Sequence, residues 1–242
     1  MKTQYTTTQN GDATISYISV NSHLGGTPII IIPGVINSAD EVYSAMQGHL
    51  DGYHIIISLR GRGESSSPET GYSLSDQASD INAVIENENL QSVVIFGHSL
   101  GSTIGIKAAS IIPEKVKGFL MGDFPPFYPP YDERWTQHVL SFIDNIEISE
   151  KAVLGIAKDA AYADVSKELN DLPFKVLAIR ARGGNTQLRE EDAEKLKEIC
   201  PNCEVTVLEE SGHELMSDNP KGLAAIFKEY MYKVSLAQFN FL

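Results

Sequence analysis

At 242 residues, 42% of them hydrophobic and 21% charged, the chain is long enough to bury a sizeable core, and residues 1–242 are expected to form one domain. A formal net charge of −13 argues against a nucleic-acid backbone or an anionic membrane surface as partner, since both attract basic surfaces. No apolar run approaches membrane-spanning length, and Met1-Lys2-Thr3-Gln4-Tyr5-Thr6 is too polar for a secretory leader, so a cytoplasmic protein is the expectation.

Residues 3–20 read as two strands joined at Asn10-Gly11, a dipeptide suited to a tight hairpin. Ile29 to Ile32 is wholly apolar, as a strand buried on both faces would be. Pro33-Gly34-Val35-Ile36-Asn37 ends it, and Ser38 to Leu50 follows as a helix capped by Asn37 or Ser38. Tyr53 to Ser58 is the next strand, then a loop rich in glycine and charge, Arg60-Gly61-Arg62-Gly63-Glu64-Ser65. Leu74, Ala78, Ile81, Ala83, Val84 and Ile85 mark a helix capped at Ser73 or Ser75. Val93 to Phe96 is a strand, Ser102 to Ala109 a helix stopped by Pro113, and Val116 to Met121 a further strand.

The alternation then breaks. From about Phe124 to Leu172 the sequence holds Pro125-Pro126, Pro129-Pro130, several aromatics and helical patterns, but no clear strand. This segment, 124–172, reads as an insertion over one edge of the sheet. Alternation resumes with a strand at Lys175 to Arg180, a helix at Glu190 to Ile199, a strand at Glu204 to Leu208 and a helix at Pro220 to Tyr232. Strands and helices alternating at this spacing predict an α/β fold, with a mostly parallel central sheet covered by helices on both faces. The apolar tail from Val234 to Leu242 either packs back on the body or contacts another subunit, which leaves a homo-oligomer open. Cys200-Pro201-Asn202-Cys203 lacks a second ligand pair for zinc and any thioredoxin-like surroundings; it reads first as a loop, then as a chance disulfide, last as a redox pair.

Gly97-His98-Ser99-Leu100-Gly101 lies between a predicted strand and a predicted helix. A serine on so sharp a turn is strained and needs small neighbours, which Gly97 and Gly101 supply. Its hydroxyl would stand above the sheet, with a helix N-terminus beneath it to favour negative charge. The bland alternative is a serine that only caps the helix.

The order of elements, together with Pro33-Gly34, Arg60-Gly61-Arg62-Gly63-Glu64-Ser65, Gly97-His98-Ser99-Leu100-Gly101 and Ser211-Gly212-His213-Glu214, resembles the α/β-hydrolase family over nearly the whole chain. The resemblance implies an α/β-hydrolase fold with a short cap at 124–172. It implies Ser99 as nucleophile and His213 as its base, because a serine hydroxyl is a weak nucleophile without one. His98 would point away from the nucleophile and be structural, while His23, His49, His54 and His138 carry no motif. Many relatives place the acid after the strand at 175–180, where this chain has Asn185 and no carboxylate before Glu190. Others place it one strand earlier, which selects Asp123. Glu190 is the next candidate, and a dyad aided by Asn185 the third.

The resemblance also implies an oxyanion hole from the backbone N–H groups of Val35 and Leu100, although Pro33 stands where relatives often have histidine. Phe124, Phe127 and Trp135 are candidates for the substrate pocket; Tyr128, Tyr131 and Phe142 lie in the same segment. The function implied is hydrolysis of a small carboxylic ester, lactone or thioester through an acyl-enzyme, needing neither metal nor organic cofactor. The alternatives are a ligand-binding or signalling protein with little turnover, and a hydrolase of carbon–carbon bonds in β-diketones.

Overall fold

The computed structural model describes residues 1–239. Strands β1 (Thr3–Asn10) and β2 (Ala13–Val20) open the chain as an antiparallel pair. Asn10 pairs with Ala13, so the turn residues are Gly11 and Asp12 rather than Asn10 and Gly11. Gly11 has a φ of 61°, which glycine adopts without strain at the first central position of a tight hairpin. There follow β3 (Ile29–Ile32), α1 (Ala39–Met46), β4 (His54–Ile57), α2 (Leu74–Asn87), β5 (Val93–His98), α3 (Leu100–Ile111) and β6 (Val116–Gly122).

The insertion holds β7 (Phe127–Tyr128), α4 (Glu133–Leu140), α5 (Glu150–Asp159), β8 (Ala163–Asp164) and α6 (Ser166–Asn170). Here the sequence reading needs correction, since β7 and β8 form a small antiparallel ribbon. Two residues per strand are too few to show an alternating pattern. The body is completed by β9 (Val176–Ala181), α7 (Glu190–Ile199), β10 (Cys203–Leu208), α8 (Leu215–Asp218) and α9 (Pro220–Phe239).

Eight strands form one sheet in the order β1-β2-β4-β3-β5-β6-β9-β10, antiparallel at the β1 edge and parallel from β4 onward. Strand alternation divides the core in two. Ile30, Ile32, Ile55, Ile57, Val93 and Ile95 face one side, where α2, α3, α6 and α7 cover them. Ile29, Ile31, Ile56, Val94 and Phe96 face the other, against α1, α8 and α9. All these strand residues are at most 1% exposed, and burying each such side chain stabilises the fold by about 1.5–3 kcal/mol.

Ser38 and Ser73 cap α1 and α2, each with a reciprocal bond from the third helical residue, Glu41 or Asp76. Such caps contribute ~1 kcal/mol each and fix where the chain leaves the sheet. Cys200 ends α7 and Cys203 opens β10; both are buried free thiols, and burial pushes the Cys203 thiol up to about 12. Helix α9 runs beyond the expected end at Tyr232, with Val234 packed on the second core cluster and Leu236 46% exposed. Residues 240–242 of the apolar tail lie outside the described residues. Among those described, no helix is long and apolar enough to cross a membrane.

Candidate active site

The site is assembled at the C-terminal ends of β5, β6 and β10. Ser99 joins β5 to α3 with φ 52° and ψ −128°, a conformation costly for any side chain-bearing residue. The crowding around it accounts for the glycines. A Cβ on Gly97 would collide with the backbone of Gly101 and Ser102, and one on Gly101 with the carbonyl oxygens of Ile32 and Pro33. Ser102, fully buried, donates to the Gly97 carbonyl at 2.7 Å and accepts the Gly122 N–H at 3.1 Å, tying together the ends of β5 and β6.

Asp123 follows β6 directly, also in the left-handed region at φ 48°. It enters the site because β6 pairs with β9 across the insertion, and the Asp123 N–H donates to the Ile179 carbonyl at 2.8 Å. Its carboxylate is fully buried. Oδ1 accepts the Ala181 N–H at 2.9 Å and the Thr186 hydroxyl; Oδ2 accepts the Gln187 N–H at 2.9 Å and His213 Nδ1–H at 2.8 Å. Burial pushes the Asp123 pKa up, but the bonds from His213, Thr186, Ala181 and Gln187 outweigh it, and the net shift is downward.

His213 follows β10, with its side chain 16% exposed. A carboxylate only accepts, so in the neutral ring the proton sits on Nδ1, and Nε2 is left to accept from Ser99 Oγ at 3.0 Å. A hydroxyl, an imidazole and a carboxylate separated by 114 and 90 residues thus form one hydrogen-bonded chain. Of the other candidates for the acid, Asn185 Oδ1 accepts the main-chain N–H of His213 at 3.1 Å and does not touch the ring. Glu190 is exposed at the start of α7.

Gly34 lies against Ser99; a Cβ there would come 3.6 Å from the Ser99 Cβ. The next residue, Val35, is half-buried, and Leu100 is 1% exposed at the first position of α3. Among the described residues neither the Val35 N–H nor the Leu100 N–H has a protein acceptor. In the insertion, Trp135 packs against Tyr131 with ring centroids 4.3 Å apart and the planes tilted by 46°, and both join the cluster to which Val35 and Ile36 also belong. Phe124 and Phe127 lie 5.6 Å apart, and Phe127 also stacks on the exposed Tyr162.

Two features were not legible in the sequence as functional. Arg62 is fully buried and has no carboxylate partner among the described residues; it donates to the carbonyls of Val35 at 2.9 Å and Arg60 at 2.6 Å and to Gln77 at 3.2 Å. Burial pushes its pKa down to about 10, which still leaves it protonated at neutral pH. Its charge contrasts with that of Arg60, which pairs at 2.7 Å with Asp80. His98 is structural, as expected, but its Nε2 reaches the carbonyl oxygen of His213 at 2.6 Å, a contact the sequence does not show.

Known proteins fit this architecture. Residues 27–122 match the family model described as alpha/beta hydrolase fold. A 2-(acetamidomethylene)succinate hydrolase of Mesorhizobium japonicum is 27% identical over 66% of this chain and 55% of its own length. Lipase 3 of a Moraxella species is 23% identical over 87% of this chain and 79% of its own. The solved structure of a thermophilic esterase from Thermogutta terrifontis superposes with a TM-score of 0.76, at 17% identity, over 97% of this chain and 99% of that one. The chain has the α/β-hydrolase fold, and both of these curated relatives carry hydrolase or lipase names.

Proposed function

We propose that the protein is a serine hydrolase that cleaves a small carboxylic ester, or a related lactone or thioester, through an acyl-enzyme. The observation that carries this reading is the continuous chain from Ser99 Oγ through the His213 imidazole to the buried Asp123 carboxylate. His213 Nε2 takes the Ser99 proton as Oγ attacks the acyl carbon. Asp123 holds the imidazole in the competent tautomer and stabilises the imidazolium that forms. The oxyanion develops against the free N–H groups of Val35 and Leu100, with the α3 N-terminus beneath; loss of one such donor typically costs ~10²–10³ in rate. The imidazolium then protonates the leaving alcohol. Water, deprotonated by the same ring, releases the acid and regenerates Ser99.

Segment 124–172 acts as a cap in this reading. Trp135 and Tyr131, packed beside Val35 and Ile36, and Phe124, next to Asp123, form the apolar wall for the acyl group, with Phe127 behind Phe124. The test is turnover across a panel of short acyl esters, lactones, thioesters and N-acyl enamides. Ester turnover that falls as the acyl chain lengthens supports the reading. Cleavage of the enamides alone would move the protein toward the chemistry in the name of its Mesorhizobium relative, and no turnover of any member would favour a binding protein.

A further inference from the structure

We infer that His98 is a positioning residue for His213, one half of a main-chain clamp whose other half is Asn185; this rests on the serine-hydrolase reading above. The His213 peptide groups are held from both sides. Asn185 Oδ1 accepts the His213 N–H at 3.1 Å, and His98 Nε2 lies 2.6 Å from the His213 carbonyl oxygen. The two residues come from opposite flanks of the site, Asn185 from the loop after β9 and His98 from the last position of β5, beside the nucleophile.

The state of His98 is set by its contacts. A carbonyl oxygen only accepts, so Nε2 carries the proton and donates. The ring is 1% exposed, and its Nδ1 has no partner among the described residues. Nδ1 faces the Gly34 backbone, where an added Cβ would lie 3.6 Å away. His98 is therefore wedged between the loop carrying Val35 and the loop carrying His213, its ring centroid 5.0 Å from that of His213.

The need for a clamp lies in the loop geometry. His213 precedes the four-residue helix α8 and stands on no regular element, yet its ring must meet Ser99 at 3.0 Å and Asp123 at 2.8 Å together. The carbonyl also accepts the Leu215 N–H at 2.9 Å, a bond within its own turn. His98 and Asn185 tie the same residue to the rest of the site, which limits rotation of its main chain and sets the direction of its Cβ before substrate arrives. A misplacement of about 1 Å in such a site can cost ~10² in rate. His98 touches neither substrate nor the reacting atoms.

The experiment compares His98→Phe, which keeps a ring but loses the donor, with His98→Gln, whose side-chain amide restores a donor near the Nε2 position. Both are assayed for kcat and KM on a short acyl ester, and each is examined by proton NMR for the far-downfield signal of His213 Nδ1–H bound to Asp123. We expect His98→Phe to lower kcat ~10–10²-fold with KM nearly unchanged and to broaden or shift the NMR signal. His98→Gln should recover most of both. Equal kcat in His98→Phe and the parent, or equal losses in the Phe and Gln variants, would overturn the clamp. Asn185 is exposed, so Asn185→Ala tests the other half even where His98→Phe fails to fold; a smaller fall in kcat with the same spectral change is expected, and an unaltered signal counts against the clamp. Should the parent hydrolyse nothing, the NMR comparison still reads the clamp, so its failure is separable from that of the proposed activity.

Discussion

Replacing Asp123 with asparagine changes one atom, and the hydrogen bonds around that atom decide the effect on catalysis. The carboxylate accepts four bonds, two at each oxygen. An amide has one acceptor end, so two donors must face an NH₂ group. Turned toward Ala181 and Thr186, the NH₂ would strand the N–H of fully buried Ala181, at ~1–3 kcal/mol. Turned toward Gln187 and His213, it strands only the N–H of Gln187, whose residue is exposed and open to water. The second orientation is the cheaper one. It places an N–H donor against His213 Nδ1, and the ring answers by moving its own proton to Nε2. Nε2 then donates to Ser99 instead of accepting from it, and the base is lost. We expect kcat for p-nitrophenyl acetate to fall ~10⁴-fold with KM little changed, the size expected when the tautomer is wrong and the geometry intact. An Asp123→Asn variant within tenfold of the parent would refute both the role of Asp123 and the hydrogen-bond reasoning behind it.

Buried charge gives two further outcomes. His98 is pushed from 6.5 down to about 4, first by burial and then by its neighbour His213, so the unfolded chain binds a proton that the folded one refuses between those values. The contribution of His98 to stability therefore rises with pH across that window, and acidification from 6.5 to 4 should remove roughly 3 kcal/mol of it; urea unfolding at stepped pH should show this slope in the parent relative to His98→Gln. His54, also pushed down by burial, contributes a slope of the same sign, whereas Asp40, Glu41, Asp80 and Glu214, whose carboxyls burial pushes up, contribute the opposite one. The difference in slope between the parent and His98→Gln is therefore the quantity that reads His98; Asp123, pushed below the usual carboxylate range, adds its loss only at lower pH. Arg62→Lys keeps the charge but loses the fork that serves Val35, Arg60 and Gln77. Leaving the Val35 carbonyl without its donor should cost ~1–3 kcal/mol and, through the loosened loop, about tenfold in kcat; unchanged melting and turnover would contradict a role for Arg62 in holding that loop.

The features that could be read from the sequence, and those that could not, divide along local and distant interactions. Ile29 to Ile32, the serine caps at 38 and 73, and the glycines flanking Ser99 were readable because each reports on its own neighbours. The partner of His213 was harder. Asp123 outcompetes Asn185 and Glu190 only because β6 lies beside β9, bringing the N–H groups of Ala181 and Gln187 onto its carboxylate, and that adjacency is a property of topology. Arg62 read as part of a charged loop because a fully buried cation runs against hydropathy. The contact of His98 could not be read for a different reason: its partner is a carbonyl oxygen 115 residues away, and main-chain acceptors leave no mark on side-chain identity.

The central claim is that Ser99 is an activated nucleophile, and covalent capture tests it most directly. After exposure of the folded protein to a fluorophosphonate, mass mapping should find one adduct, on Ser99, absent from Ser99→Ala and from protein unfolded in urea. A folded parent that stays unlabelled, or that is modified at another residue while Ser99 remains free, would contradict it.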